Sequence, residues 1–144
     1  MNQFRRSIPN LRLALLAALL VSASAAAAQT PPLITISGKV VGASGKYAVY
    51  VALWNAAGFL HKPLQQIRIA PGGDLTFLFR VSPGEYVLSA FEDKNGNGIL
   101  DIGAFGPKEP SGFWRSFHAW RKPRFPDVSS HYDRDSSGIE ILLR

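Results

Sequence analysis

The chain has 144 residues, no cysteine, 16 basic and 10 acidic residues, and a formal net charge of +6. The lack of cysteine excludes a disulfide framework, so stability must come from an apolar core, helped by any ion the fold binds. Without residues 1–28, 116 residues remain (144 minus 28), and with Arg5, Arg6 and Arg12 removed the charge falls to 13 minus 10, or +3. That length suits one domain with a single core, and the charge of the full chain overstates how basic the mature protein is.

Residues 1–28 are expected to be a cleaved signal peptide. Arg5, Arg6 and Arg12 give a positive start, Leu13 to Val21 is apolar, and Ala26-Ala27-Ala28 before Gln29 offers the small residues a signal peptidase accepts, with cleavage after Ala28. The uncharged run ends at Ala28 and is rich in alanine, whereas a spanning helix needs roughly 20 strongly apolar residues. Ser7-Ile8-Pro9 after the arginine pair fits the twin-arginine pattern poorly, and no cysteine is present for a lipid anchor. The expected location is periplasmic or secreted, with no transmembrane segment left after cleavage.

In residues 29–144 alternation of two dominates and helical spacing is hard to find. Strands are predicted at Leu33 to Val41, at Lys46 to Trp54 with Tyr47, Val49, Val51 and Leu53 on one face, and at Leu64 to Ala70. Further strands are predicted at Leu75 to Val81 with Leu75, Phe77, Phe79 and Val81 inward, at Tyr86 to Phe91, and at Gly138 to Leu143. The first two are expected to pair as a hairpin through Gly42-Ala43-Ser44-Gly45, the next two through Pro71-Gly72-Gly73-Asp74, and the last through Asp133 to Ser137. Ile102 to Val128 is rich in glycine, proline and aromatics without a clear period, a long irregular loop. Short strands with Gly and Pro turns argue an all-β fold, a single antiparallel β-sandwich of immunoglobulin-like or transthyretin-like kind.

The strongest motif is Asp93-Lys94-Asn95-Gly96-Asn97-Gly98-Ile99-Leu100-Asp101. In a D-x-[DN]-x-[DN]-G loop, positions one, three and five turn oxygens inward, position seven offers its carbonyl, and position nine binds directly or through water. Those places fall to Asp93, Asn95, Asn97, Ile99 and Asp101, which makes calcium the expected ion. Position twelve is Ala104, where a helix-loop-helix site carries a bidentate acid. The loop is one strong ligand short and must borrow it or use water. A plain solvated turn would accommodate the same polar residues and glycines.

The order of these elements, with Phe79-Arg80-Val81-Ser82-Pro83-Gly84-Glu85-Tyr86 leading into Ala90-Phe91-Glu92 and the loop, resembles the bacterial domain of unknown function 2141, DUF2141. The stretches Gly106-Pro107-Lys108-Glu109-Pro110-Ser111-Gly112-Phe113 and Pro123 to Val128 fit the same outline. The resemblance covers the chain after the signal and implies an exported β-sandwich without an established activity. The Pro83-Gly84-x-Tyr86 turn is similar to that of transthyretin-like regulatory domains and of adhesin B-type repeats, some of which carry a comparable calcium loop with a later acid. Ala104 departs from that pattern.

From Phe113 to Phe125 aromatics alternate with cations. In one reading Phe113, Phe117 and Phe125 fold back to cap the sandwich. In the other, Trp114 and Trp120 stack on sugars or sit at a membrane interface while Arg115, Arg121, Lys122 and Arg124 meet phosphates or carboxylates. Envelope polymers, anionic lipids and carbohydrate are then the expected partners, and nucleic acid is out of place in that compartment. Catalytic signals are weak: Gly42-Ala43-Ser44-Gly45 is no nucleophile elbow, and His61, His118 and His131 lack zinc-site spacing. Glu92 and Asp93 are adjacent on a strand and point to opposite faces. Asp133 and Asp135 lie in a turn able to hold a weak cation or complete the first site. The expected role is an exported, calcium-stabilised binding or structural module of the cell envelope. The alternative is a small periplasmic enzyme or ligand carrier with a pocket built by residues 102–128.

Overall fold

A computed structural model describes residues 31–117 and 121–144; the expected signal peptide and His118, Ala119 and Trp120 lie outside them. In chain order the strands are β1 (Ile34–Val41), β2 (Ala48–Trp54), β3 (Gln65–Ile69), β4 (Thr76–Val81), β5 (Gly84–Asp93), β6 (Ile102–Gly103), β7 (Gly106–Pro107), β8 (Ser111–Phe113), β9 (Ser130–Tyr132) and β10 (Ser136–Leu142), with one short helix, α1 (Phe125–Val128), before β9. One sheet runs β10-β1-β4; the other runs β3-β2-β5-β8, with β9 also pairing with β5.

The core lies between these sheets. Alternate side chains of β1, β4 and β10, including Ile36, Phe79 and Ile141, face Val49, Val51, Leu53 and Leu88 of β2 and β5. The fold is the expected β-sandwich, with one parallel pair, β1 with β10. The end of the chain closes one side, because Arg144 and Ser111 exchange backbone hydrogen bonds at 3.2 Å. At the other end of β5 the Tyr86 hydroxyl donates to the Ser82 carbonyl at 2.8 Å and holds the Pro83-Gly84 turn shut.

The three expected hairpins do not form. β1 pairs with β4 and β10, β2 with β3 and β5, and β9 with β5. Each turn instead crosses from one sheet to the other. Alternation reports which face of a strand is buried; it carries no information on which strand lies alongside. The 42–47 crossing is held from the core: Glu92, 1% exposed, accepts both the N–H and the hydroxyl of Ser44. Strand β2 accordingly starts at Ala48, and Tyr47, expected inward, is 39% exposed.

The segment from Ile102 to Val128 is more ordered than its composition suggests. It forms the β6-β7 ribbon, β8 and α1, and it covers the outer face of the second sheet. On that face Val87, Ala52 and Phe91 are buried although they point away from the inter-sheet core.

Candidate metal loop and aromatic cover

Asp93 ends β5 on this outer face and is 3% exposed. Its Oδ1 accepts the N–H groups of Gly96 and Asn97, and its Oδ2 accepts that of Gly98 at 2.8 Å. The carboxylate is thus the centre about which the loop turns. Gly98 has φ 74°, and a Cβ there would stand 3.3 Å from the Tyr50 hydroxyl. The left-handed backbone favours glycine, and a side chain there would also have to push the Tyr50 hydroxyl aside by a few tenths of an ångström. Tyr50 is in turn fixed by stacking on Phe91, with centroids 5.2 Å apart.

The other expected ligands converge. Asn95 Oδ1 accepts the Asn97 N–H, Asn97 Oδ1 accepts the Ile99 N–H, and both amide groups donate to Asp101 Oδ2, Asn97 at 3.0 Å. Ile99, expected to contribute only its carbonyl, has a 66% exposed residue surface. An acid from outside the motif, Glu109, reaches the loop backbone. It is 6% exposed, its Oε1 accepts the Lys94 N–H at 2.8 Å, and its Oε2 faces the Asp101 N–H at 3.4 Å. The ribbon brings it there, since the Lys108 N–H donates to the Asp101 carbonyl at 2.8 Å. Ala104, at the twelfth position, lies exposed in the ribbon turn.

These residues supply three carboxylates, two amide oxygens and a carbonyl, the hard oxygen donors that calcium takes. As the loop stands, its own amide N–H groups occupy the approach to Asp101. A cation would require Asn95 and Asn97 to turn their oxygens inward, which gives up the bonds those oxygens now accept from the Asn97 and Ile99 N–H groups. Among the described residues no three His, Cys, Asp or Glu side chains already converge as a metal cluster. The Asp133-Asp135 turn is engaged elsewhere: Asp135 accepts the Thr35 N–H and Asp133 pairs with Arg134.

The aromatic and basic segment divides. Phe113 and Phe125 both pack on Phe59, at 6.3 and 5.7 Å, and Phe59 meets Trp54 edge-on at 6.2 Å. Trp54 donates from Nε1 to Ser89 Oγ, so this cluster seals the outer face of the second sheet. Arg115 donates to the Ser129 carbonyl. Arg121 forks onto both oxygens of Asp127, at 2.7 and 3.0 Å, and lies 5.2 Å from the Phe117 ring centroid. That guanidinium, the Arg124 N–H and the nearby charges hold the Asp127 carboxyl down at about 2. Trp114, Lys122 and Arg124 remain exposed; Trp120 lies outside the described residues. Sequence pattern alone missed Phe59 because it sits in an irregular loop.

Glu92 and Asp93 serve separate structural tasks on opposite faces, and His61 and His131 are exposed. Two open depressions, of about 500 and 380 Å³, are lined by residues 37–78 with Gly138 and by residues 46–96. Neither is lined by residues 102–128. Among the described residues no helix is long and apolar enough to cross a membrane.

A family profile described as "Uncharacterized protein conserved in bacteria (DUF2141)" matches residues 34–139. No curated protein matches the chain. Among solved structures, a DUF3823 family protein from Parabacteroides merdae is similar at 17% identity and a TM-score of 0.38, over 79% of this chain and 47% of that one. The chain therefore spans about half the length of that protein.

Proposed function

The chain belongs to the DUF2141 family, whose description assigns no activity, and we propose that it is an exported, non-catalytic, calcium-stabilised module of the cell envelope. The observation that carries this reading is Glu109, a buried acid delivered by a separate ribbon to the one loop whose motif lacks it. The aromatic segment then serves as folded cover, and Trp114, Lys122 and Arg124 are the side chains left to meet envelope material. The reading of an enzyme or carrier with a pocket at residues 102–128 draws no support from the depressions.

Outside the cytoplasm calcium is plentiful, and a site whose Asp93 and Glu109 carboxylates already address backbone N–H groups fits the extracellular affinity range, on the order of 10⁻⁴ to 10⁻³ M. An ion that binds only the folded state at tenfold excess over its Kd adds about 1.4 kcal/mol. The test is thermal melting of mature protein shown to be metal-free. Calcium is expected to raise Tm, and magnesium to do so less because it demands a tighter octahedron and holds its water. Identical curves in calcium and chelator would reduce the loop to a turn. Mass spectrometry of the exported protein is expected to find an N-terminus near Gln29; an intact Met1 in cytoplasmic protein would defeat the export reading.

A further inference from the structure

The depression of about 380 Å³ beside the metal loop gathers Lys46 from the turn before β2, Arg68 from β3 and Lys94 from the loop, together with Tyr47 and Tyr50. Three elements bring three cations to one groove. Among the described residues the ion pairs join Lys39 to Glu140, Arg121 to Asp127 and Arg134 to Asp133, and none uses Lys46, Arg68 or Lys94. Asp93, the acid in the groove wall, is buried with both oxygens taken by loop N–H groups. It offers the cations no accessible partner.

Buried acids place the two lysines. The Lys94 N–H is held by Glu109, and the Lys46 N–H donates to Ser44 Oγ, which itself donates to Glu92. Arg68 stands directly across from Tyr50 in the β2-β3 register, and Tyr50 is locked on Phe91. Three cations and one buried acid leave the groove net positive, which suits an anion. Tyr47, 39% exposed at the same depression, adds an aromatic face.

We propose that this groove binds an anionic sugar, its phosphate or carboxylate held by Arg68, Lys46 and Lys94 and its ring against Tyr47. Arg68 supplies a planar fork that matches either anion, and the lysines add mobile point charges. The inference rests on the envelope reading only for where such a sugar is met; it is independent of calcium.

The test is a titration of ¹⁵N-labelled mature protein at low salt with glucose 6-phosphate, glucuronate, glucose and inorganic phosphate, each in calcium and in chelator. Saturable shifts confined to residues 46–50, 68 and 94–96 are expected with at least one of the two anionic sugars, and which one binds tells phosphate from carboxylate recognition. Neutral glucose is expected to bind at least about tenfold more weakly, as loss of a charge-assisted contact implies. Arg68→Ala and Lys94→Ala, both at exposed positions, are expected to weaken the anionic sugar by about tenfold each, while Tyr47→Ala weakens the sugar and leaves inorganic phosphate unchanged. No saturation by either anionic sugar, equal binding of glucose, or folded variants that bind like the parent would overturn the proposal. A flat melting response to calcium would sink the calcium reading and leave the groove standing.

Discussion

The carboxylate of Glu109 accepts the N–H of Lys94 at 2.8 Å across fifteen positions of chain. This bond joins the first turn of the Asp93 loop to a segment with no periodic pattern of its own. The other carboxylate oxygen faces the N–H of Asp101, so one buried acid addresses both ends of the loop. In the ion-free state it orders the backbone. Under the proposed calcium reading it is the acid that would stand in for position twelve.

Glu109→Gln keeps the shape and removes the charge. Hydrogen bonds to a charged group contribute about 1.5–3 kcal/mol, so urea unfolding in chelator is expected to show a loss of about 1–2 kcal/mol, and calcium should restore less than it does for the parent. Asp93→Ala is harsher, because it orphans the N–H groups of Gly96 and Gly98, at about 1–3 kcal/mol for each that water cannot reach, and leaves the Asn97 N–H only its bond to Asn95 Oδ1. Its Tm should fall even without metal. Only the difference between calcium and chelator curves reports on binding, and that difference is expected to vanish.

Much of the fold was legible in sequence because a sandwich strand writes its buried face as alternation. Ile34, Ile36 and Val40, and Val49, Val51 and Leu53, are buried as their spacing implies. Partner choice was not legible, since it depends on long-range contacts such as the grip of Glu92 on Ser44, which carries the chain from one sheet to the other. In the loop, Asp93, Asn95, Asn97 and Asp101 share one hydrogen-bonded turn, with the amide nitrogens of Asn95 and Asn97 toward Asp101. Glu109 escaped because its role comes from the path of the ribbon and not from spacing. The three cations of the groove escaped for the same reason, lying on elements that are distant in sequence.

The parallel pair β1-β10 gives a prediction about the core edge. A Cβ at Gly38 would collide with the backbone carbonyl of Ile139, where the register of the two strands shifts. Backbone cannot yield as a flexible side chain does, so Gly38→Ala is expected to pry the strands apart and to destabilise by more than the usual surface change, about 2 kcal/mol or more. Gly45→Ala is a useful contrast, because no atom lies within contact of its Cβ and only its φ of 75° is strained. Its penalty should be smaller, about 1 kcal/mol. Equal urea midpoints for the Gly38 variant and the parent would contradict the packing.

Acid acts late on the aromatic cover, because a depressed carboxyl is protonated only well into the acid range. The Arg121 guanidinium, followed by the Arg124 N–H, holds Asp127 down at about 2 from an ordinary 3.8. A depressed folded value means the contact contributes fully above the ordinary carboxylate range and is lost as pH falls from there through about 2. Carboxyl NMR is expected to place the Asp127 midpoint near 2 in the parent and to move it toward 3.8 in Arg121→Ala. A parent midpoint already at the ordinary value would mean that the Arg121 fork does not persist in solution.

The last prediction separates cover from contact in the same segment. Phe59 is the hub on which Trp54, Phe113 and Phe125 meet, and it holds residues from three parts of the chain over the outer face of the second sheet. Phe59→Ala removes a half-buried ring and the edge-on partners it supports, so a loss of about 2–3 kcal/mol is expected, less than for a fully buried phenylalanine. Trp114 makes its backbone bond to the Leu88 carbonyl while its residue surface is 39% exposed, so Trp114→Ala should cost less stability than Phe59→Ala. If this face meets envelope material, the same substitution should reduce retention of the folded protein on isolated envelopes. A sharp drop in Tm for Trp114→Ala with unchanged retention would place that ring in the cover beside Phe113 and remove it from the contact surface.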